Sequence, residues 1–153
     1  MNRFLAVLIL AVFSLVSSGV AYSAEQVITV ADVEKAGGLK GIKVIPKDPV
    51  IGAGGDINFA GKDGKVVLMV MDRDKAYLTD MKAQKGSFDK QVKGIGDEAY
   101  DGPGFGKMRY ILAFRKGNRV VTLSSFMNMD AGGKPFFSPE QLRKLANAAL
   151  ARM

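Results

Sequence analysis

The chain is 153 residues long and 48% of its residues are hydrophobic, which fits one globular domain and excludes a wholly disordered chain. It has no cysteine and no histidine, which excludes disulfides, thiolate nucleophiles, covalent haem attachment, histidine bases and ordinary zinc or copper sites. Its 22 basic and 15 acidic residues give a net charge of +7. Carboxylates, lysine, tyrosine, serine and backbone donors are the groups left for chemistry, and no metal or cofactor is predicted.

Residues 1–24 are predicted to be a secretory signal peptide. Arg3 supplies the positive start, residues 4–16 are apolar apart from Ser14, and small residues at 17–24 form a cleavage region. The apolar run is short for a membrane span of about 20 residues, and without cysteine a bacterial lipoprotein anchor is excluded. We therefore expect a periplasmic or secreted protein, with residues 25–153 as a single domain and no transmembrane span after signal removal. The cleaved chain keeps a net charge of +6, because Arg3 is the only charged residue lost.

The first half of the domain alternates short helices with strands. In chain order the predicted elements are a helix at Val30–Ala36 capped by Thr29, a strand at Leu39–Ile45, a hairpin of Asp56–Gly61 and Val66–Met71, and a helix at Lys75–Lys85 capped by Asp74. The hairpin is predicted to close in a tight primed turn at Asp63-Gly64. Since Val66–Met71 is apolar at every position, it is expected to be a central strand buried on both faces. Ser87–Val92 fits either a short helix or a strand.

The stretch Gly94–Gly106 contains five glycines and a proline, which predicts a loop with no room for a helix interior or a paired central strand. Such a loop makes tight turns or lets a ligand approach its backbone closely. Its acidic and aromatic side chains are the candidate binding residues, namely Asp97, Glu98, Tyr100, Asp101 and Phe105. Gly52–Gly55 and Phe136-Phe137 are further candidates for the same surface.

A second hairpin and a long helix complete the domain. The hairpin covers Lys107–Met127, turns at Gly117-Asn118 and places Tyr110, Leu112 and Phe114 on one face. The helix covers Ser138–Met153 and begins with a Ser-Pro pair and a Ser-x-x-Gln box. Together the elements predict an α+β domain with a single mainly antiparallel β-sheet packed with helices.

Three segments together resemble a known family: Gly94–Tyr100, Ile111–Leu123 and Gln141–Ala146. They are similar to the carboxy-terminal half of small exported bacterial domains of unknown function, some of them lipoproteins. Val30–Gly38 is similar to the opening helix of those domains. The resemblance implies a PsbP-like α-β-α sandwich and, by analogy alone, a binding or assembly role. This chain departs from the family in lacking its lipidated or paired cysteines.

Each candidate chemistry has a competing structural explanation. Asp97 and Glu98 suit acid/base work on a glycan, but adjacent side chains of an extended segment point apart and do not flank one bond. A capped turn at Asp97 and an ion pair from Glu98 to Arg109, Arg115 or Arg119 are therefore favoured. The Gly-x-Gly spacings lack the strand-loop-helix context of a phosphate-binding fingerprint. The acids of the loop lack the spacing of an EF-hand calcium loop.

Methionine and serine residues suggest two further chemistries, and each has a structural alternative. A copper(I) site from methionines such as Met69 and Met71 competes with core packing, which is the commoner use of methionine. A Ser-Lys hydrolase built on Ser124-Ser125 lacks the Ser-x-x-Lys arrangement and a nucleophile elbow. Neither pattern assigns a catalytic residue.

The favoured function is an exported, non-catalytic binding or assembly module for an unknown envelope protein or small ligand. One alternative is a carboxylate-dependent enzyme that acts on envelope glycan. Another is a basic surface protein that binds anionic lipid or polymer. Basic residues are spread along the chain, with no run longer than Arg115-Lys116, so no specific nucleic-acid site is expected.

Overall fold

The structure is a computed structural model that describes residues 27–45, 56–104 and 109–153. The predicted signal peptide, Gly52–Gly55 and Phe105 lie outside these ranges. The described helices are α1 (Val30–Gly37), α2 (Lys75–Ala83) and α3 (Pro139–Leu150), with a 3-10 turn at Met129–Ala131. The described strands are β1 (Lys43–Ile45), β2 (Ile57–Ala60), β3 (Val66–Asp74), β4 (Lys90–Gln91), β5 (Glu98–Gly102), β6 (Arg109–Lys116), β7 (Arg119–Asn128) and β8 (Lys134–Pro135).

The eight described strands form one sheet, in the order β1-β2-β3-β7-β6-β5-β4 with β8 beside the end of β7. Every pairing between them is antiparallel. The predicted hairpins appear as β2–β3 and β6–β7, and they join through β3 and β7 at the centre of the sheet. The predicted α+β class, with a mainly antiparallel sheet packed with helices, is therefore confirmed.

The strand register gives the sheet two faces with different partners. Leu112 lies opposite Leu123, and both are buried in the larger core, formed with α1 and α3. Ala113, the next residue along β6, points to the other face and packs with Leu78 of α2. Helices therefore lie on both faces of the sheet. The largest fully buried side chains of the larger core include Phe59, Leu68, Phe114, Phe137, Leu142 and Leu145.

The two helices on the larger core begin at reciprocal caps, as the sequence predicts. Thr29 accepts the backbone N–H of Asp32, and the Asp32 carboxylate accepts the backbone N–H of Thr29 at 2.9 Å. Ser138 and Gln141 make the same exchange at the start of α3. Each cap satisfies N–H groups that no helical carbonyl reaches. Arg152 then donates to the Asp32 carboxylate at 2.7 Å, which joins the start of α1 to the chain just beyond α3.

The glycine-rich stretch is not a continuous loop. Its middle, Glu98–Gly102, is strand β5, which pairs with β4 on one side and β6 on the other. The expectation that Gly94–Gly106 has no room for a paired inner strand is therefore wrong. Residues 97–101 contain neither glycine nor proline, so the strand breakers lie before β5 and from its last residue, Gly102, onward.

The first predicted strand is shorter than its alternating pattern suggests. Only Lys43–Ile45 of the predicted span Leu39–Ile45 pairs with β2. The Glu34 carboxylate accepts the backbone N–H groups of Gly41 and Ile42, at 2.6 and 3.0 Å. Those two N–H groups are therefore satisfied by α1 and do not enter a ladder.

The first hairpin also closes differently from the prediction. The Gly64 N–H donates to the Gly61 carbonyl at 3.0 Å, so residues 62 and 63 are the central positions of the turn and Gly64 follows with a φ of 78°. The primed turn predicted at Asp63-Gly64 is therefore wrong. Strand β3 is central as expected, but Met69 and Met71 stay partly exposed on the face that α2 shares.

Gly102 allows β4 to lie close to β5. A Cβ on Gly102 would lie 2.6 Å from the Asp89 nitrogen and 2.7 Å from the Phe88 Cα, both backbone atoms. We expect Gly102→Ala to lower the free energy of unfolding by about 1–3 kcal/mol. Amide exchange at Asp89, whose N–H donates to the Asp101 carbonyl at 2.8 Å, should accelerate as well.

Gly94→Ala is the matched control for this substitution. A Cβ there meets nothing within 4 Å, although the φ of 79° carries a backbone cost of about 1–2 kcal/mol. It should destabilise the domain without faster exchange at Asp89. Unchanged exchange at Asp89 in Gly102→Ala would contradict the close approach.

Candidate functional site

The turn that leads into β5 is held against β6. Gly96 has a φ of 57°, and a Cβ on it would collide with the Arg115 carbonyl oxygen. That same oxygen accepts the Asp97 N–H at 2.8 Å. Gly96 is thus explained by a close contact between backbones and Gly94 by its φ of 79°, without any phosphate.

Asp97 caps the turn between β6 and β7. One oxygen of its carboxylate, Oδ2, accepts the Gly117 N–H at 2.8 Å and the Arg115 Nη1 at 3.0 Å. Arg115 Nη1 also donates to the Gly117 carbonyl at 2.6 Å. The predicted role of Asp97 as a turn cap is confirmed.

Glu98 lies at the centre of a second set of charge-assisted bonds. Its Oε1 accepts the Lys82 Nζ at 2.6 Å and the Tyr100 hydroxyl at 2.8 Å, and its Oε2 accepts the Arg115 Nε at 3.4 Å. Of the three arginines predicted as its partner, Arg109, Arg115 and Arg119, the structure shows Arg115. The bond from Lys82, followed by that from Tyr100, lowers the pKa of Glu98 to about 2. A carboxyl with that pKa is ionised at neutral pH and is a poor general acid.

Asp101 projects from β5 on the opposite face from Glu98 and Tyr100. Its side chain is 2% exposed, and neither carboxylate oxygen has a hydrogen bond within the described part of the chain. Its nearest cation is Arg143 of α3, with Nη2 at 3.7 Å. The Tyr110 hydroxyl is close but outside hydrogen-bonding geometry, and burial together with the Asp101 charge raises the pKa of Tyr110 to about 12.

The candidate acids therefore do not converge on one point. Asp97 and Glu98 share Arg115, whereas Asp101 faces α3 across the sheet. Among residues 27–45, 56–104 and 109–153, no group of three acidic side chains could hold a metal ion. The calcium interpretation of this segment gains no support from the arrangement.

Tyr100 contributes to a pocket on the α2 side of the sheet, hereafter the Tyr100 pocket. Its ring lies 5.4 Å from the Phe88 ring, centroid to centroid, and the Lys82 Nζ lies 4.9 Å from the Tyr100 centroid. The pocket has a volume of about 350 Å³. The residues that line it are Lys82, Gln84, Lys85, Gly86, Phe88, Asp89, Lys90, Gln91 and Tyr100.

The lysines of the Tyr100 pocket are a feature that the sequence analysis missed. α2 ends at Ala83, and the chain turns through Gly86 before it pairs as β4 with β5. This path brings Lys82, Lys85 and Lys90 to one pocket although they span nine positions in sequence. The signal in the sequence is the repetition of lysine around Phe88, at positions that are not consecutive.

Several other candidates are buried. Phe137 has no exposed surface, and its backbone N–H donates to the Ser125 hydroxyl at 2.8 Å. Phe137 therefore belongs to the core and not to the proposed ligand surface. Ser124 and Ser125 are 1% and 0% exposed, so neither hydroxyl is accessible as a nucleophile.

A second pocket, of about 400 Å³, lies beside Asp72 and Arg119. There Arg119 donates to both oxygens of the Asp72 carboxylate, with Nε at 3.1 and 3.0 Å. Arg73, which also lines it, pairs with Asp56 at 2.6 Å. The guanidinium groups of this pocket are already matched by carboxylates, so it offers less unpaired charge than the Tyr100 pocket.

Comparison of the chain with protein-family models, curated proteins and solved structures finds no match. The resemblance to exported PsbP-like domains therefore stays a prediction. No helix in the described ranges is long and apolar enough to cross a membrane. Function has to be argued from the site, because one architecture serves many unrelated activities.

The Glu98 network predicts a pH-dependent contribution to stability. The folded-state pKa of about 2 lies below the ordinary value of 4.5, so the contribution is complete above pH 4.5 and is lost as the pH falls toward 2. Glu98→Gln should lower the free energy of unfolding near neutral pH by about 1–2 kcal/mol. Urea unfolding of both proteins from about pH 7 to about pH 3 should show the difference shrinking below pH 4.5.

Glu140→Gln is the control, since Glu140 pairs with Lys144 at 3.8 Å on the exposed surface of α3. It should change stability by less than about 0.5 kcal/mol at any pH. A Glu98→Gln effect that stays constant over the pH range would contradict the network.

Arg143 is the counter-ion of a buried carboxylate. Arg143→Met should lower the free energy of unfolding by about 1–3 kcal/mol, because the buried carboxyl group of Asp101 then loses its nearest cation. The same change in an Asp101→Asn background should cost less, which a double-mutant cycle measures. Lys144→Met on the same helix is the control, with an expected cost below about 0.5 kcal/mol. Equal Arg143→Met effects in both backgrounds would contradict the pairing.

Proposed function

We propose that this chain is an exported, non-catalytic binding module whose ligand surface is the Tyr100 pocket. The observation that carries the proposal is that neighbouring residues in and just before β5 have different roles. Asp97 and Glu98 are held in bonds to Arg115, Lys82 and backbone groups, while Tyr100 lines a pocket together with Phe88. The two acids that could take part in catalysis, Asp97 and Glu98, thus have structural roles. Tyr100, which lies between Glu98 and Asp101, is available for contact with a ligand.

The carboxylate-dependent enzyme is the less favoured function. A glycan hydrolase needs one carboxyl that stays protonated and a second across the scissile bond. Glu98 has a pKa of about 2, and Asp97 is engaged by Arg115 and the Gly117 N–H. Asp101 lies on the other face of the sheet and is nearly inaccessible. No pair of these acids therefore flanks a space that a sugar can enter.

The dimensions of the pocket favour a small ligand or a short protruding segment of a partner. A volume of about 350 Å³ lies at the lower end of the range of about 300–1,000 Å³ that is usual for small-molecule sites. Export is supported by the signal-like residues 1–24, and a PsbP-like sandwich would agree with helices on both faces of an antiparallel sheet. An envelope protein or an envelope metabolite would then be the source of the ligand.

Recovery of a ligand from an envelope fraction tests the proposal. Residues 25–153 are immobilised, and bound material is eluted from the parent domain and from Tyr100→Ala. Tyr100→Ala should lose at least about tenfold of the recovered ligand, since removing a hot-spot aromatic costs about 2 kcal/mol or more. Urea unfolding of the variant checks that the domain still folds.

Phe136→Ala serves as the matched control, because Phe136 is a partly buried aromatic that does not line the Tyr100 pocket. It should recover as much ligand as the parent domain. Equal recovery by parent and Tyr100→Ala would show that the pocket is not the ligand surface.

A further inference from the structure

The Tyr100 pocket combines unpaired positive charge with two aromatic rings. We propose that the ligand of this pocket is a small organic anion, an inference that rests on the proposed function. The chemical class is a phosphate, sulfate or carboxylate group carried on an apolar, preferably aromatic, body. Lys85 and Lys90 bind the anionic group, and Phe88 with Tyr100 contacts the body.

Two of the three lysines that line the pocket are available to a ligand. Lys82 is bound to Glu98 at 2.6 Å, and Glu98 shares Arg115 with Asp97. These two cations and two anions balance one another. Lys85 and Lys90 make no ion pair with any residue that the structure describes, and both are exposed. With Asp89 as the remaining acid of the lining, the pocket keeps an excess positive charge.

The residues that line the pocket indicate which kinds of anionic group it can bind. Among the described residues no arginine lines the pocket, so they offer no planar fork for bidentate recognition of one fixed carboxylate geometry. Lysine ammonium groups act as compact point charges on flexible side chains, and they bind phosphate, sulfate or carboxylate alike. The lining therefore selects for negative charge more strongly than for the shape of the anionic group.

The size and lining of the pocket indicate what kind of organic group carries the anion. The pocket volume of about 350 Å³ is roughly ten times the share of about 30 Å³ that one water molecule occupies in the liquid. A lone inorganic anion would leave most of that space to solvent. The tilted pair of Phe88 and Tyr100 offers apolar surface, and Gln84 and Gln91 offer amide groups on the same lining. An anion with an apolar body can contact both the lysines and the apolar surface of Phe88 and Tyr100.

Edge protection is the competing explanation for these lysines. β4 is a two-residue edge strand, and charged residues on edges prevent pairing with other chains. Lys93 lies just beyond β4, is exposed and does not line the pocket. It separates the two explanations, because edge protection treats Lys93 and Lys90 alike and ligand binding does not.

Titration with defined probes tests the inference. Residues 25–153 are titrated with phenyl phosphate, with phenol as the neutral analogue and with inorganic phosphate as the anion without a body. Phenyl phosphate should bind about tenfold or more tightly than either, and its affinity should fall as salt rises. Phenyl sulfate and benzoate then rank the three anionic groups.

Variants assign the binding to the pocket. The double variant Lys85→Gln, Lys90→Gln should weaken phenyl phosphate binding by about tenfold, the combined effect of two exposed charge contacts. Lys93→Gln should leave the affinity unchanged. An equal loss with Lys93→Gln would show a diffuse basic edge and overturn the inference.

The remaining outcomes separate this inference from the proposed function. Equal binding of phenol and phenyl phosphate, insensitive to salt, would overturn the anionic ligand and leave the Tyr100 pocket as a binding surface. Inorganic phosphate that binds as well as phenyl phosphate would remove the role of the rings. Absence of binding by all three probes would overturn the inference, whereas the proposed function fails only on the Tyr100→Ala recovery experiment.

Discussion

The interaction on which the candidate site depends is the sharing of Arg115 between Asp97 and Glu98. The guanidinium of this one residue on β6 contacts both carboxylates and the Gly117 carbonyl. Through Glu98 the network continues to Lys82 on α2 and to the Tyr100 hydroxyl. The turn before β5, the hairpin turn after β6 and one helix are therefore held by a single set of charge-assisted bonds. Such bonds are stronger than neutral ones, and those from the Tyr100 hydroxyl and the Arg115 Nε to Glu98 are partly buried.

This network decides what the segment around β5 can do. A carboxylate that accepts three donors is stabilised in its ionised form, which suits a structural anchor and not a proton donor. The network also fixes the Tyr100 ring, because the Tyr100 hydroxyl donates to Glu98. Lys82 and Phe88 lie beside the same ring. A ring held in this way loses little conformational freedom when a ligand arrives, which favours binding.

The sequence predicts local features well and spatial clusters poorly. The caps at Thr29 and Ser138 and the β6–β7 hairpin follow from residue types and spacing, and the structure confirms them. For Glu98 the sequence left three arginines as possible partners, and the structure shows Arg115. The glycine content of the whole segment does not predict strand β5, because it hides the five residues 97–101 that contain neither glycine nor proline. The lysine cluster was missed because it depends on β4 pairing with β5 through two residues, which no local pattern indicates. Of the five candidate site residues, Tyr100 lines the pocket, Asp97 and Glu98 support its surroundings, Asp101 faces α3, and Phe105 lies outside the described residues.

Mapping the ligand on the folded domain tests the account most directly. Amide and aromatic signals of isotope-labelled residues 25–153 are followed by NMR as an envelope extract is added. The account predicts that the perturbed signals concentrate at residues 82–91 and Tyr100, around one pocket. Perturbation confined to another surface, such as the groove between α1 and α3 beside Lys35 and Lys144, with Tyr100 unchanged, would contradict it.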